Sequence, residues 1–241
     1  MAEELAYHDG DQLCRGELAL PDPAVHGPGP YPGVVAVHEA WGLGNQVKRR
    51  IAMLADLGYA ALAADIFGDR HIPAAPPEAF EIIGKWLADR PALRRRAGAA
   101  VAALKAHPAC DGRIAAIGYC FGGSTVLELA RGGHPDVLGV VSFHGALDTP
   151  APAEPGRVSA KILVCHGAED PLVPHEQLNG FLAEMAAAGA DCTTICYTGA
   201  MHSFTNPEAD GSILPGVLYH ERTDHRSWSA MQAFFRTELF A

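Results

Sequence analysis

The sequence has no window approaching the 18 or so consecutive apolar residues that a membrane span needs. It opens Met1-Ala2-Glu3-Glu4-Leu5, which is acidic and lacks the apolar run of an export signal. The expectation is a soluble, cytoplasmic protein with no membrane partner. Positive charge is also scarce. Lys and Arg total 18 against 28 Asp and Glu, for a formal net charge of −10. Such a surface repels phosphate backbones and argues against a nucleic-acid partner. The basic cluster Arg94-Arg95-Arg96 lies beside an Ala-rich helical stretch and reads as a solvated helix face. Paired cysteine signals are missing too. Cys14, Cys110, Cys120, Cys165, Cys192 and Cys196 include no C-x-x-C and no Cys/His spacing suited to zinc. A chain of this length without an export signal is not expected to carry a disulfide framework. His38-Glu39 lacks the second histidine of a zinc-protease helix. No metal and no organic cofactor is therefore expected. No repeat of 20–50 residues is visible.

What the sequence does have is core material and rhythm. Its 241 residues are 49% apolar and 19% charged, which excludes a disordered chain. One α/β domain of this size, taken as 1–241, would bury roughly 70–75% of its unfolded surface. Short β-branched runs predict strands at 33–38, 59–65, 113–118, 137–143, 161–165 and 192–197. Helical patterns at 47–57, 76–87, 91–105, 122–130, 175–188 and 224–239 alternate with them, with Pro near starts and Gly58 and Gly189 at ends. A first antiparallel strand is expected at 13–20. The β-α-β alternation predicts an α/β fold, a mostly parallel sheet with helices on both faces.

The segment that carries chemistry is Gly118-Tyr119-Cys120-Phe121-Gly122, between a predicted strand and a predicted helix. This is the nucleophile-elbow pattern with cysteine in place of serine. The turn is too tight for Cβ atoms beside it, and the helix N-terminus behind it favours thiolate and oxyanion. A nucleophile needs a base, and the base an orienting acid, in chain order nucleophile, acid, base. Acid candidates after Cys120 are Asp148 and Asp170, with Glu169 adjacent. Asp170 is preferred: it follows the strand ending at Gly167, and Pro171 enforces a turn there. His202, just beyond the strand 192–197, is the candidate base. The stretch after strand 33–38 is where such folds place a second oxyanion donor, so the N–H groups of Ala40 and Phe121 are the expected pair.

Four segments now stand together: His38-Glu39-Ala40-Trp41-Gly42, Gly118-Tyr119-Cys120-Phe121-Gly122-Gly123, His166-Gly167-Ala168-Glu169-Asp170 and Met201-His202-Ser203-Phe204. Together they resemble the dienelactone hydrolase family of α/β hydrolases, from the first buried strand to the closing helix. The resemblance implies a triad of Cys120, His202 and Asp170. It also gives Glu39 the place of the family glutamate that meets the resting cysteine and, once substrate binds, shifts to deprotonate it. That family holds its substrate's carboxylate with two arginines. Asn206 stands where one is expected and, with Trp86 taken as the reference tryptophan, Ala79 where the other is; no Arg occurs from 71 to 89. Activity on dienelactone itself is therefore not expected. Phe143 and His144, at a strand end where the family often carries tyrosines, either line a pocket with Trp41 and Trp86 or simply pack. The function expected is hydrolysis of small activated carboxylic esters or lactones through a thioester intermediate. Acyl transfer or thioester cleavage on a larger substrate, and a degenerate hydrolase used for binding or redox sensing, are the alternatives.

Overall fold

The computed structural model describes residues 2–241. Their contacts cluster into two compact units, the first ending at Ile117 and the second running Gly118–Ala241. The first opens with a hairpin of β1 (Glu3–Asp9) and β2 (Gln12–Ala19), paired antiparallel. Gly10 makes its turn at φ 59°, the left-handed backbone that a two-residue hairpin turn requires. A one-turn helix α1 (Pro23–His26) leads to β3 (Tyr31–Val37), α2 (Asn45–Asp56) and β4 (Ala60–Ala64). β4 pairs antiparallel with β2 and parallel with β3. Helices α3 (Pro76–Ala88) and α4 (Arg90–Lys105) precede β5 (Cys110–Tyr119), and the strands of this unit follow the order β1-β2-β4-β3-β5. Val34, Val35, Ala36, Val37 and all five residues of β4 are fully buried, as strands covered on both faces must be.

β1 was not predicted, and the reason is visible in its burial. Only Tyr7 and Asp9 of β1 are buried, and a buried aspartate is invisible to a hydrophobic pattern. Its partner corrects a second expectation. The arginine cluster is not simply a solvated face: Arg96 Nε donates to Asp9 at 2.9 Å, and a second nitrogen donates to the Ile66 carbonyl at 2.8 Å. Arg95, largely exposed, donates to the other Asp9 oxygen at 2.8 Å. Burial opposes the charge on Asp9, but Arg96 and Arg95 outweigh it and hold the carboxyl below its usual range.

The second unit contains α5 (Phe121–Arg131), β6 (Val137–Phe143), β7 (Lys161–Gly167), α6 (His175–Ala188), β8 (Cys192–Tyr197) and α7 (Glu221–Phe234). β6, β7 and β8 are parallel neighbours, with Val140 opposite Ile162 and Cys165 opposite Ile195. Gly189 closes α6 at φ 68°, as its sequence position predicts. The closing helix begins at Glu221 rather than 224, because the His220 side chain caps it by accepting the Thr223 N–H. After Phe234 the helix widens over Phe235–Leu239, and the Phe240 N–H reaches the Phe235 carbonyl at 2.8 Å. No helix among the described residues is long and apolar enough to cross a membrane.

Arg131 ends α5 as a buried cation. It donates to Glu128 at 3.2 Å, to Glu184 of α6 at 2.8 Å and to the Leu147 carbonyl at 2.6 Å. Its guanidinium also lies 5.5 Å from the Phe181 ring centroid. Arg131→Ala leaves the fully buried Glu128 without its cation, a change that costs about 3–5 kcal/mol. Urea unfolding of Arg131→Ala beside the Arg131→Met/Glu128→Met double variant measures this. The double variant should recover most of the loss; equal losses would mean that packing, not the uncompensated charge, sets the cost.

Candidate active site

The centre of the site is the turn from β5 into α5. Gly118 has no room for a side chain: a Cβ there would sit 1.9 Å from the Gly122 carbonyl oxygen. Cys120 stands at the tip with φ 53° and ψ −116°, a strained conformation of the kind that clusters at functional sites. Its own N–H is held twice, by the Phe143 carbonyl at 3.0 Å and by His144 Nδ1 at 3.1 Å. Cys120 is only partly buried, whereas Cys14, Cys110 and Cys165 are buried. Burial pushes the Cys14 and Cys192 thiols up to about 11 and Cys165 up to about 12, which makes them poor nucleophiles at neutral pH.

The structure brings the candidate acid and the candidate base, Asp170 and His202, together. Asp170 follows β7 and is buried. Its Oδ1 accepts the N–H groups of Leu172 and Val173 at 2.8 and 3.1 Å. Its Oδ2 accepts His202 Nδ1–H at 2.8 Å. That bond fixes the tautomer and leaves Nε2 as the working atom. The other acid candidates do different things. Glu169 accepts the Gly199 N–H at 3.0 Å, and Asp148 is exposed. His202 Nε2 is buried with no hydrogen-bond partner of normal geometry. Burial works against charge on this imidazole, but the Cys120 sulfur and the Asp170 carboxylate outweigh it and raise its pKa to about 10.

The histidine loop is itself clamped. The His202 N–H donates to the Gly216 carbonyl, and its carbonyl accepts the Leu218 N–H, both at 2.9 Å. Gly216, at φ 92°, lies against Pro171, next to Asp170, where a Cβ would come within 2.4 Å of the proline ring. Nothing in the sequence marked Gly216 or Thr205 as part of the site.

Other expectations divide. Phe121 begins α5 and is buried, so its N–H belongs to the first turn, whose donors lack intrahelical acceptors. In the first unit, Glu39 and Ala40 follow β3 and are buried. His38, also buried, makes a 2.7 Å ring contact through Nδ1 to the Glu39 carbonyl. Because that peptide is trans and planar, this contact also sets the direction of the Ala40 N–H. Burial holds the His38 pKa down, against the opposing pull of that hydrogen bond. Trp41 is partly exposed, and Trp86 stacks under the Arg96 guanidinium at 4.9 Å. Ala79 is fully buried in α3. Asn206 spends its Oδ1 on the Glu208 N–H at 3.0 Å, capping a local turn. Phe143 and His144 are each 1% exposed. Phe143 is a core ring stacked on Tyr119 at 4.8 Å, and both ring nitrogens of His144 are engaged by protein.

The family model described as the dienelactone hydrolase family matches residues 15–239 in one stretch. A dienelactone hydrolase-like promiscuous phosphotriesterase from metagenomic libraries is 41% identical with a TM-score of 0.92, over 100% of this chain and 99% of that one. The structure of m3DLH is 40% identical with a TM-score of 0.93, over 99% of this chain and 98% of that one. An uncharacterized Caenorhabditis elegans protein is 38% identical over 62% of this chain and 95% of its own length. With an eight-stranded, mostly parallel α/β architecture and a family match spanning both units, the chain belongs to the dienelactone hydrolase family of the α/β-hydrolase superfamily.

Proposed function

We propose that this hydrolase cleaves small activated carboxylic esters and lactones, with Cys120 as nucleophile. The observation that carries the reading is the 2.8 Å contact of His202 Nδ1 with Asp170 beside a cysteine at a strained elbow. The Cys120 thiolate attacks the carbonyl carbon and forms a C–S bond. The oxyanion is held by the Phe121 and Ala40 N–H groups, each worth about 3 kcal/mol. The C–O bond breaks, and the alkoxide leaves with the proton from His202 Nε2. Water then attacks the thioester while His202 takes its proton, and the carboxylic acid and thiol are released. Amides, with their poorer leaving group, are expected to be slow. Glu39 has the role the family likeness gives it, that of priming the thiol when substrate binds. Glu39→Gln is expected to lower the acylation rate by about 10²-fold or more, the range for a general base; an unchanged single-turnover rate removes Glu39 from the reaction.

The test is hydrolysis of neutral aryl esters and simple lactones before and after treatment with iodoacetamide. One equivalent on Cys120 should abolish turnover, and substrate should slow the labelling. Full activity with Cys120 alkylated overturns the reading. A second reading is phosphotriester hydrolysis, by attack of the same thiolate on phosphorus. It is favoured by the 41% identity to the promiscuous phosphotriesterase. A neutral aryl phosphotriester assayed in parallel ranks the two.

A further inference from the structure

We propose that His144 is a positioning residue of the active site, a second histidine that must stay neutral and that ties the nucleophile to the loop of the catalytic histidine. This rests on the triad reading above and deepens it. His144 immediately follows β6, and its ring is buried. Nδ1 accepts the N–H of Cys120 itself, at 3.1 Å. An atom that accepts an N–H carries no proton, so the neutral ring has its hydrogen on Nε2. Nε2 lies 2.8 Å from Thr205 Oγ1, three residues beyond His202, and donates to it. The His144 N–H in turn donates to the Cys165 carbonyl of β7 at 2.9 Å. One side chain thus connects the elbow to the 202–205 loop, while its backbone is anchored on the strand that leads to Asp170.

Two further observations point the same way. In the second unit the only non-glycine residues with positive φ are Cys120 at 53°, His144 at 42° and Ser203 at 55°. Cys120 and His144 belong to this hydrogen-bonded set, and Ser203 lies between His202 and Thr205 in the loop it holds, which is where backbone strain is expected to be kept for function. The rings of His144 and His202 also meet edge to face, with centroids 5.3 Å apart. A charged His202 therefore disfavours a second charge on His144. Protonating His144 would also set a ring N–H against the Cys120 N–H and break the contact that holds the elbow. The groups around the ring are Cys120 and Tyr119 from the elbow side, His202, Phe204 and Thr205 from the loop. His202 carries the charge of the pair and His144 does not.

The experiment is a comparison of His144→Phe, His144→Asn, Thr205→Val and the His144→Phe/Thr205→Val double variant, with kcat and KM on an aryl ester and thermal unfolding of each. Phenylalanine keeps the ring and removes both contacts. Asparagine tolerates positive φ and keeps an acceptor at the position of Nδ1. His144→Phe is expected to lower kcat about tenfold or more with KM little changed, the scale of losing a positioning hydrogen bond. His144→Asn should regain most of that loss. Thr205→Val should cost less, and the double variant should be no worse than His144→Phe, because both changes cut one bridge. Wild-type kcat in His144→Phe, strictly multiplicative losses in the double variant, or an asparagine variant as slow as phenylalanine overturns the proposal. Cys120→Ala in the same series separates the two readings: its survival sinks the triad, whereas its inactivity leaves His144 to be judged on its own variants.

Discussion

Cys120→Ala is expected to lose ester turnover by at least about 10⁴-fold, the scale seen when the nucleophile of such a triad is removed. The substitution is unusually clean here. Cys120 already holds φ 53°, and alanine meets the same backbone strain, so the elbow has no new conformational reason to change. The N–H of residue 120 keeps its two acceptors, the Phe143 carbonyl and His144 Nδ1. What disappears is the sulfur, and with it one of the two groups that keep His202 protonated. The His202 pKa should therefore fall in the variant, a change that NMR titration of the imidazole reads independently of turnover. A variant that stays folded, with a lowered His202 pKa and esterase activity at the wild-type rate, would mean that ester cleavage happens elsewhere on the protein.

Asp170→Asn is expected to cost about 10³–10⁴-fold in kcat. Asparagine can still accept the Leu172 and Val173 N–H groups, so the turn survives. At the other oxygen the amide presents N–H groups to His202 Nδ1–H, donor against donor. The imidazole then turns its tautomer round and offers Cys120 the wrong nitrogen. The pH profile should move as well. Above the ordinary histidine range the wild-type imidazole keeps its proton, because the Cys120 sulfur and Asp170 hold its pKa up to about 10. Activity that needs the thiolate–imidazolium pair is retained as pH rises and lost as it passes through that raised value. Removing the Asp170 charge lowers the pKa, so the alkaline limb moves to lower pH. Glu169→Gln and Asp148→Asn serve as controls and should stay near wild type, since neither carboxylate meets His202. An alkaline limb that stays in place in Asp170→Asn would separate this carboxylate from the base.

Strands β3 and β4 could be read because nothing polar interrupts them. The run from Val34 to Val37 and the five residues of β4 are apolar throughout and fully buried. The elbow and its candidate partners could be named for another reason: chemistry restricts residue type and chain order, which is what singled out Gly118, Cys120, Asp170 and His202. What escaped were groups whose burial depends on a distant partner. β1 shows only a weak apolar pattern because Asp9 fills an inward position and is neutralised by Arg96 from α4. The contacts of His144 escaped because a histidine at a strand end carries no sign of which side it faces. Its two contacts come from residues 24 positions earlier and 61 positions later, separations that no local pattern encodes. Gly216 was equally silent, since its contact with Pro171 exists only once the 203–220 stretch folds back on His202.

The central claim is that an acyl group passes through sulfur on Cys120. The measurement that tests it most directly is acid quench during turnover of a slowly deacylating aryl ester, followed by mass analysis of the peptide containing Cys120. The account predicts up to one acyl group per chain, on Cys120, released by hydroxylamine and absent from Cys120→Ala. Acyl groups on a hydroxyl such as Ser124 or Ser203, with Cys120 unmodified while ester is being consumed, would contradict it.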